Sequence, residues 1–291
     1  MSKNIYQWPN PLLVYPDREN KSYRLKRFRF KLRMLLNYFN IQKFEKFINQ
    51  HDYLIDLLNN HPMYSYPVAH RFLDKRFHGT QKLNIICENL TFLPKKFKEL
   101  KLAQLWEKSV NFGEVIENFE LILKINEYQP MEGYWSLELV HKPSQELIYL
   151  LTFGKVEDSL LIGVIQGPNC EGSKEIVKAL TKQCHGLRPA YLMIEIMKAL
   201  TMVLGYEKLF GIPQKYQNKS RFVRSSRYLV NYDTLFSESG GKLEKYWDLP
   251  LDIGQKTLDG IPSKKRSMYK KRYAMLDEIM EILKSHLLAN K

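Results

Sequence analysis

The chain has 291 residues, and its 45 Lys and Arg against 31 Asp and Glu give a formal charge of +14. A hydrophobic share of 44% and an aromatic share of 13% exclude a disordered chain, and the surplus charge points to a polyanion: an anionic membrane surface, a phosphorylated ligand or nucleic acid. Cys87, Cys170 and Cys184 have no CxxC spacing and exclude a disulfide framework; Cys170 and Cys184 with His185 match no zinc module, so no metal is expected.

The opening MSKNIYQWPNPLLVYPDREN carries prolines and charges early and lacks the apolar core of a signal peptide. No run of about 18 apolar residues occurs. A cytoplasmic protein, at most peripheral on the inner membrane, is expected. Residues to about Lys108 read as helical and basic. In SYRLKRFRFKLRMLLNYF, Phe28, Leu32, Leu35, Leu36 and Phe39 share one helical face, interleaved with Arg24, Lys26, Arg27, Arg29, Lys31 and Arg33. IQKFEKFINQHDYLIDLLNNHP continues in this style until His61-Pro62. SYPVAHRFLDKRFHGTQKLNIICENL holds a proline and a glycine before an apolar helical run.

The character changes at about Glu117. NFELILKINEY alternates with period two through Phe119, Leu121, Leu123 and Ile125. MEGYWSLELVHK places Tyr134, Ser136, Glu138 and Val140 on one face and Trp135, Leu137 and Leu139 on the other. QELIYLLTFGKV and DSLLIGVIQG follow, joined by the turn-rich YQPMEG, HKPSQ and KVEDS. Four such strands predict an antiparallel meander. After Gln166 come two helices, a short strand in EKLFGIP, and a late strand in GGKLEKYWDLPLDI. The fold class is α+β, mixed: a basic helical region over 1–110, then a core over 111–291, as two parts or one continuous domain.

The tail SKKRSMYKKRY clusters Lys264, Lys265, Arg266, Lys270, Lys271 and Arg272 ahead of an amphipathic run of Met275, Leu276, Ile279, Met280, Leu283 and Leu287. Positive charge at a helix start opposes the macrodipole, which favours a functional or packing reason for it. Three readings fit the cluster: a solvated basic face, an anionic membrane contact, or RNA or DNA without sequence specificity. Each basic group near an anionic leaflet contributes on the order of 1 kcal/mol, so six suffice for reversible binding, and the helix at Arg24–Phe39 adds a second anchor.

Two breaks are candidate anion sites: Gln166-Gly167-Pro168 and His185-Gly186-Leu187-Arg188-Pro189. A helix start offers free N–H donors; Gly186 permits close backbone approach, Pro189 loses no needed donor, and Arg188 can fork onto a phosphate. The competing reading is a helix–helix turn with Arg188 in an ion pair. His185 suits acid–base work or a cap, and Cys184 suits a nucleophile if its thiol is acidified. Asn231, Tyr232, Asp233 and Glu238 follow downstream, where Tyr232 can equally pack in the core and Asp233 cap a helix.

The segments EGYWSLELVHKPSQELIYLLTF, LIGVIQGP, LTKQCHGLRP, YLVNYDTLFSESGG and SKKRSMYKKRY together resemble the VirK/YbjX family of Gram-negative bacteria, clearly from about Glu132 to Ile279 and more loosely upstream through YPVAHRF. The resemblance implies a role in envelope maintenance, virulence or tolerance of cationic antimicrobial peptides. The order of elements after Phe119 is also similar to the Gcn5-related acyltransferase fold. That likeness implies coenzyme A or an acyl carrier thioester held by Gln166, Gly167, Gly186, Arg188 and Pro189. It implies Tyr232 as the group protonating the leaving thiolate and Asp233 or Glu138 as a base, beside His185, the acid–base candidate at the second break. The sequence departs from that fold's signature, Q/R-x-x-G-x-G/A opening a helix directly after the strand. Here only Gly167 follows Gln166, and a whole helix intervenes before Gly186. The alternative function is a non-catalytic accessory binding anionic lipid, a client protein or nucleic acid through its basic surface.

Overall fold

A computed structural model describes residues 5–17, 22–168, 172–218, 231–252, 258–259 and 261–289; Cys170 lies outside them. The helical preface comprises α1 (Pro11–Val14), α2 (Arg24–Leu36), α3 (Tyr38–Asn49), α4 (Ile55–Asn60), α5 (Tyr66–Ala69) and α6 (Gly79–Glu99). The chain leaves helical geometry at His61, ahead of Pro62, as the steric clash at a pre-proline residue requires.

Five consecutive strands follow as an antiparallel meander: β1 (Val110–Ile116), β2 (Phe119–Ile125), β3 (Trp135–His141), β4 (Glu146–Val156) and β5 (Ser159–Gln166). Helices α7 (Ser173–Gln183) and α8 (Pro189–Val203) then carry the chain to β6 (Leu209–Gly211), which runs parallel to β5. After α9 (Tyr232–Glu238), a hairpin of β7 (Lys242–Leu243) and β8 (Trp247–Leu249) closes the order β1-β2-β3-β4-β5-β6-β8-β7. The long helix α10 (Ser263–Leu287) packs on α8 and β1. The class is mixed α+β, in the expected order of elements.

The meander holds one strand more than alternation predicts. Two irregularities in the β1–β2 pairing, with Gly113 at φ +76°, break the period of two, so β1 buries Phe112, Val115 and Ile116 rather than alternate positions. The late strand resolves into two short ones. β5 is buried at every position except Gln166, so both its faces are covered.

Asn89 fixes α6 to β4. Its Oδ1 accepts the Lys155 N–H at 2.7 Å, its Nδ2 donates to the Lys155 carbonyl at 2.8 Å, and its own carbonyl accepts the Trp135 indole N–H at 3.0 Å. Gly154 is required beside it, because a Cβ there would collide with Asn89 Oδ1. Helices α3, α4 and α6 share one continuous apolar core with the sheet, while Val14, Phe30, Tyr66 and Ala69 form a smaller cluster beneath α2.

Candidate functional site

Helix α2 carries two stripes. At about 3.6 residues per turn, Arg27, Phe30 and Met34 fall on one side and Leu25, Phe28, Leu32, Leu35 and Leu36 on the other. The first side faces the protein. Phe30 is its one fully buried residue; Arg27 forks onto Asp17 at 2.8 and 3.0 Å and donates to the Tyr15 carbonyl, and Arg33 donates to the Tyr66 hydroxyl at 2.7 Å. Arg27 thereby holds the Asp17 carboxyl at about 2. The apolar stripe faces solvent: Leu25, Phe28 and Leu32 are at least half exposed, Leu35 is 74% exposed, Leu36 77%, and Phe39 at the start of α3 76%. On the helical wheel Lys26, Arg29 and Arg33 flank this stripe on one side and Arg24 and Lys31 on the other. Isolated exposed leucines are ordinary; a contiguous exposed stripe marks an interaction surface.

Helix α10 sorts its charges differently. Leu276, Ile279, Leu283 and Leu287 are buried, while Lys264, Lys265, Arg266, Lys270 and Lys271 are exposed. Arg266 Nε donates to the Ile261 carbonyl at 3.0 Å. Arg272 turns inward: its Nη2 donates to the His185 carbonyl at 2.7 Å, and its guanidinium lies 4.4 Å from the centre of the Tyr269 ring. The six-residue cluster therefore divides into five surface cations and one that docks on the second break.

That break is a helix-ending turn. Gly186 N–H donates to the Thr181 carbonyl and His185 N–H to the Lys182 carbonyl, with His185 at φ +51° and Gly186 at φ +76°. This is a Schellman arrangement in which His185 takes the left-handed position usually held by glycine. Pro189 then opens α8 as its first residue. Arg188, Tyr191, Glu195, Glu238, Asp252 and Arg272 line a cleft of about 330 Å³ here. Arg188 pairs with Glu238 at 3.0 Å and donates to the Tyr191 hydroxyl at 2.8 Å, and Tyr191 donates to Glu238. Lys198, fully buried, donates to Glu195 at 2.9 Å and to the Ser239 carbonyl at 3.2 Å. Three carboxylates thus offset the three cations. Arg188 is thus already paired, and an anion at the start of α8 would stand beside the Glu238 carboxylate.

The other expected site residues are dispersed. The Tyr232 hydroxyl is buried against β5, where it donates to the Ile165 carbonyl and accepts from the Ile165 N–H. Asp233 accepts from the Trp247 indole at 2.8 Å and from the Gln214 N–H at 3.0 Å, while Asn231 caps α9 through Thr234. Gln166 donates to Glu132 at 2.9 Å, and Gly167 lies on the surface beside Tyr149. Glu138 is buried next to Ser136, and burial raises its carboxyl. The Cys184 thiol, fully buried, is pushed up to about 12 by desolvation, which removes the acidified thiol a nucleophile needs. The structure therefore joins Gly186, Arg188 and Arg272 at one cleft, buries Pro189 in the first turn of α8, and leaves Gln166, Gly167, Tyr232 and Asp233 elsewhere. Sequence reasoning missed Lys198 and Glu195; a Glu and a Lys three residues apart in an otherwise apolar helix is the signal for them. Among the described residues no group of three or more His, Cys, Asp or Glu is placed to hold a metal, and no helix is long and apolar enough to cross a membrane.

A family model described as a protein of unknown function, DUF535, matches residues 19–285. The chain belongs to this family. A relative from Haemophilus influenzae, called an uncharacterized protein, is 59% identical over 286 residues, covering 98% of this chain and 97% of its own length. Membrane protein LapB of Mannheimia haemolytica is 63% identical over 218 residues, 75% of this chain and 96% of LapB. Uncharacterized protein YbjX of Escherichia coli K12 is 30% identical over 146 residues, 47% of this chain and 43% of YbjX. The VirK/YbjX resemblance is borne out by that match. No solved structure matches the chain.

Proposed function

We propose that this protein is an envelope-maintenance factor that docks peripherally on the anionic inner face of the membrane. The outward stripe of α2 carries the reading. An amphipathic helix lying in a bilayer interface needs a contiguous apolar face and cations beside it, whose stems pass apolar surface while their charges stay at the headgroups. Leu25, Phe28, Leu32, Leu35, Leu36 and Phe39 supply the first, and Arg24, Lys26, Arg29 and Lys31 the second. The five surface cations of α10 supply further attraction to anionic lipid, on the order of 1 kcal/mol each close to the leaflet. The 63%-identical relative named membrane protein LapB adds support.

Vesicle co-sedimentation tests the reading. Phosphatidylglycerol-containing vesicles should sediment the protein and pure phosphatidylcholine should do so far less. A Phe28→Glu, Leu35→Glu, Phe39→Glu variant should stay in the supernatant with an unchanged circular dichroism spectrum. Equal sedimentation of that variant would remove the docking role of α2. Binding of DNA or RNA that outcompetes the vesicles would move the basic surface to nucleic acid.

A second reading, acyl transfer to a lipid or protein amine from coenzyme A or an acyl carrier, draws on one observation: β6 lies parallel to β5 after an antiparallel meander, the order that prompted it. Calorimetry with acetyl- and long-chain acyl-coenzyme A beside Arg188→Ala tests it: saturable binding lost in the variant would support it, and no binding to the folded protein would remove it.

A further inference from the structure

The exposed stripe of α2 continues into a groove. Trp8, Pro11, Met34, Leu35 and Ile41 line an apolar trough of about 590 Å³, with Lys31 among its few charged neighbours. That volume lies within the roughly 300–1,000 Å³ typical of small-ligand sites. Leu35 belongs to both features, so the groove opens beside the surface assigned to the bilayer.

Of the polar side chains there, Gln42 donates to the Tyr38 hydroxyl at 2.7 Å. Trp8 presents apolar ring surface to the trough, because its indole N–H is buried away from solvent. Lys31 is exposed, and the groove's carboxylate, Glu45, is already engaged by the Trp8 backbone N–H at 2.7 Å. A ligand for this site is therefore a long apolar body with acceptor oxygens near one end. A peptide strand fits badly, because its backbone would bring many donors and acceptors to a trough that offers few partners. A hydrocarbon chain brings none.

We propose that the groove holds one acyl chain of an anionic phospholipid, with a phosphate oxygen accepting from Lys31 Nζ. The proposal rests on the docking reading, which makes the bilayer the source of the lipid. It adds a specific binding event: the protein captures an individual lipid molecule as well as touching a surface.

The probe is lysophosphatidylglycerol brominated along its chain, used as monomers with the full-length protein, because bromine quenches tryptophan on contact. The protein has four tryptophans, so the assignment needs Trp8→Phe. Saturable one-to-one quenching is expected in the parent and no saturable quenching in Trp8→Phe. Met34→Phe, which fills the trough while leaving all four tryptophans, should weaken binding about tenfold. Lys31→Ala should weaken the lysolipid but not a brominated fatty alcohol. Absence of saturable quenching, while phosphatidylglycerol vesicles still sediment the protein, would overturn the groove and leave docking intact. Absence of both would overturn both. A brominated free fatty acid binding more tightly than the lysolipid would reassign the site to fatty acid and defeat the phospholipid proposal.

Discussion

Helices α2 and α10 are written in the same style, basic residues threaded through an amphipathic run, yet they fold in opposite senses. α10 buries Leu276, Ile279, Leu283 and Leu287 against α8 and the sheet and turns five of its basic cluster outward. α2 turns its leucines and phenylalanines outward and anchors itself through Phe30, Arg27 and Arg33. The difference lies in what each helix has to cover. α10 lies over a sheet whose apolar side chains must leave water. α2 lies over a small aromatic cluster, where Phe30 packs against Tyr66 and Trp8, and the polar contacts of its arginines complete that seat. Among the described residues nothing covers its remaining apolar face.

The sharpest way to break this comparison is to cut the same side chain from each helix. Leu283→Ala should lower stability by about 3 kcal/mol in urea denaturation, the usual cost of an emptied leucine site. Leu35→Ala should change it by less than about 0.5 kcal/mol, because a truncated surface side chain leaves no cavity. A large loss at Leu35 would mean that the α2 stripe is covered by protein after all.

The next effect concerns the ground beneath α2. Burial, aided by the charges of Arg33, Arg71 and Lys82, depresses His70 to about 3. Its folded value lies below the ordinary 6.5, so the native state holds it neutral while the unfolded chain takes up a proton below that pH. Its contribution is therefore complete above about pH 6.5 and falls by up to about 1.4 kcal/mol per pH unit as the pH drops toward 3. Denaturation midpoints measured from pH 7 to pH 5 should fall in the parent and fall less in His70→Gln; parallel curves would count against a partly buried, neutral histidine.

Smaller again is the role of single cations on α10. Lys271→Ala should weaken binding to phosphatidylglycerol vesicles by about 1 kcal/mol, roughly fivefold, with the gap closing as salt rises. Stability should not move, because Lys271 is exposed. Smallest is Arg188→Ala, whose exposed pair with Glu238 should alter stability by less than about 1 kcal/mol.

The sequence by itself determined the local elements. Alternation at Phe119–Ile125 and in the three following segments marked β2 to β5, and His61-Pro62 and His185–Pro189 marked where helices stop, because period and backbone preference are properties of neighbouring residues. It did not reveal β1, whose irregular pairing with β2 spoils the period. Nor could it show that Arg272 leaves its cluster for the His185 carbonyl, or that Arg188 pairs with Glu238 fifty positions away. The outward turn of α2 is the plainest case. Periodicity defines a face, but two opposite stripes both satisfy it, and only the surface on which the helix comes to rest decides which one is buried.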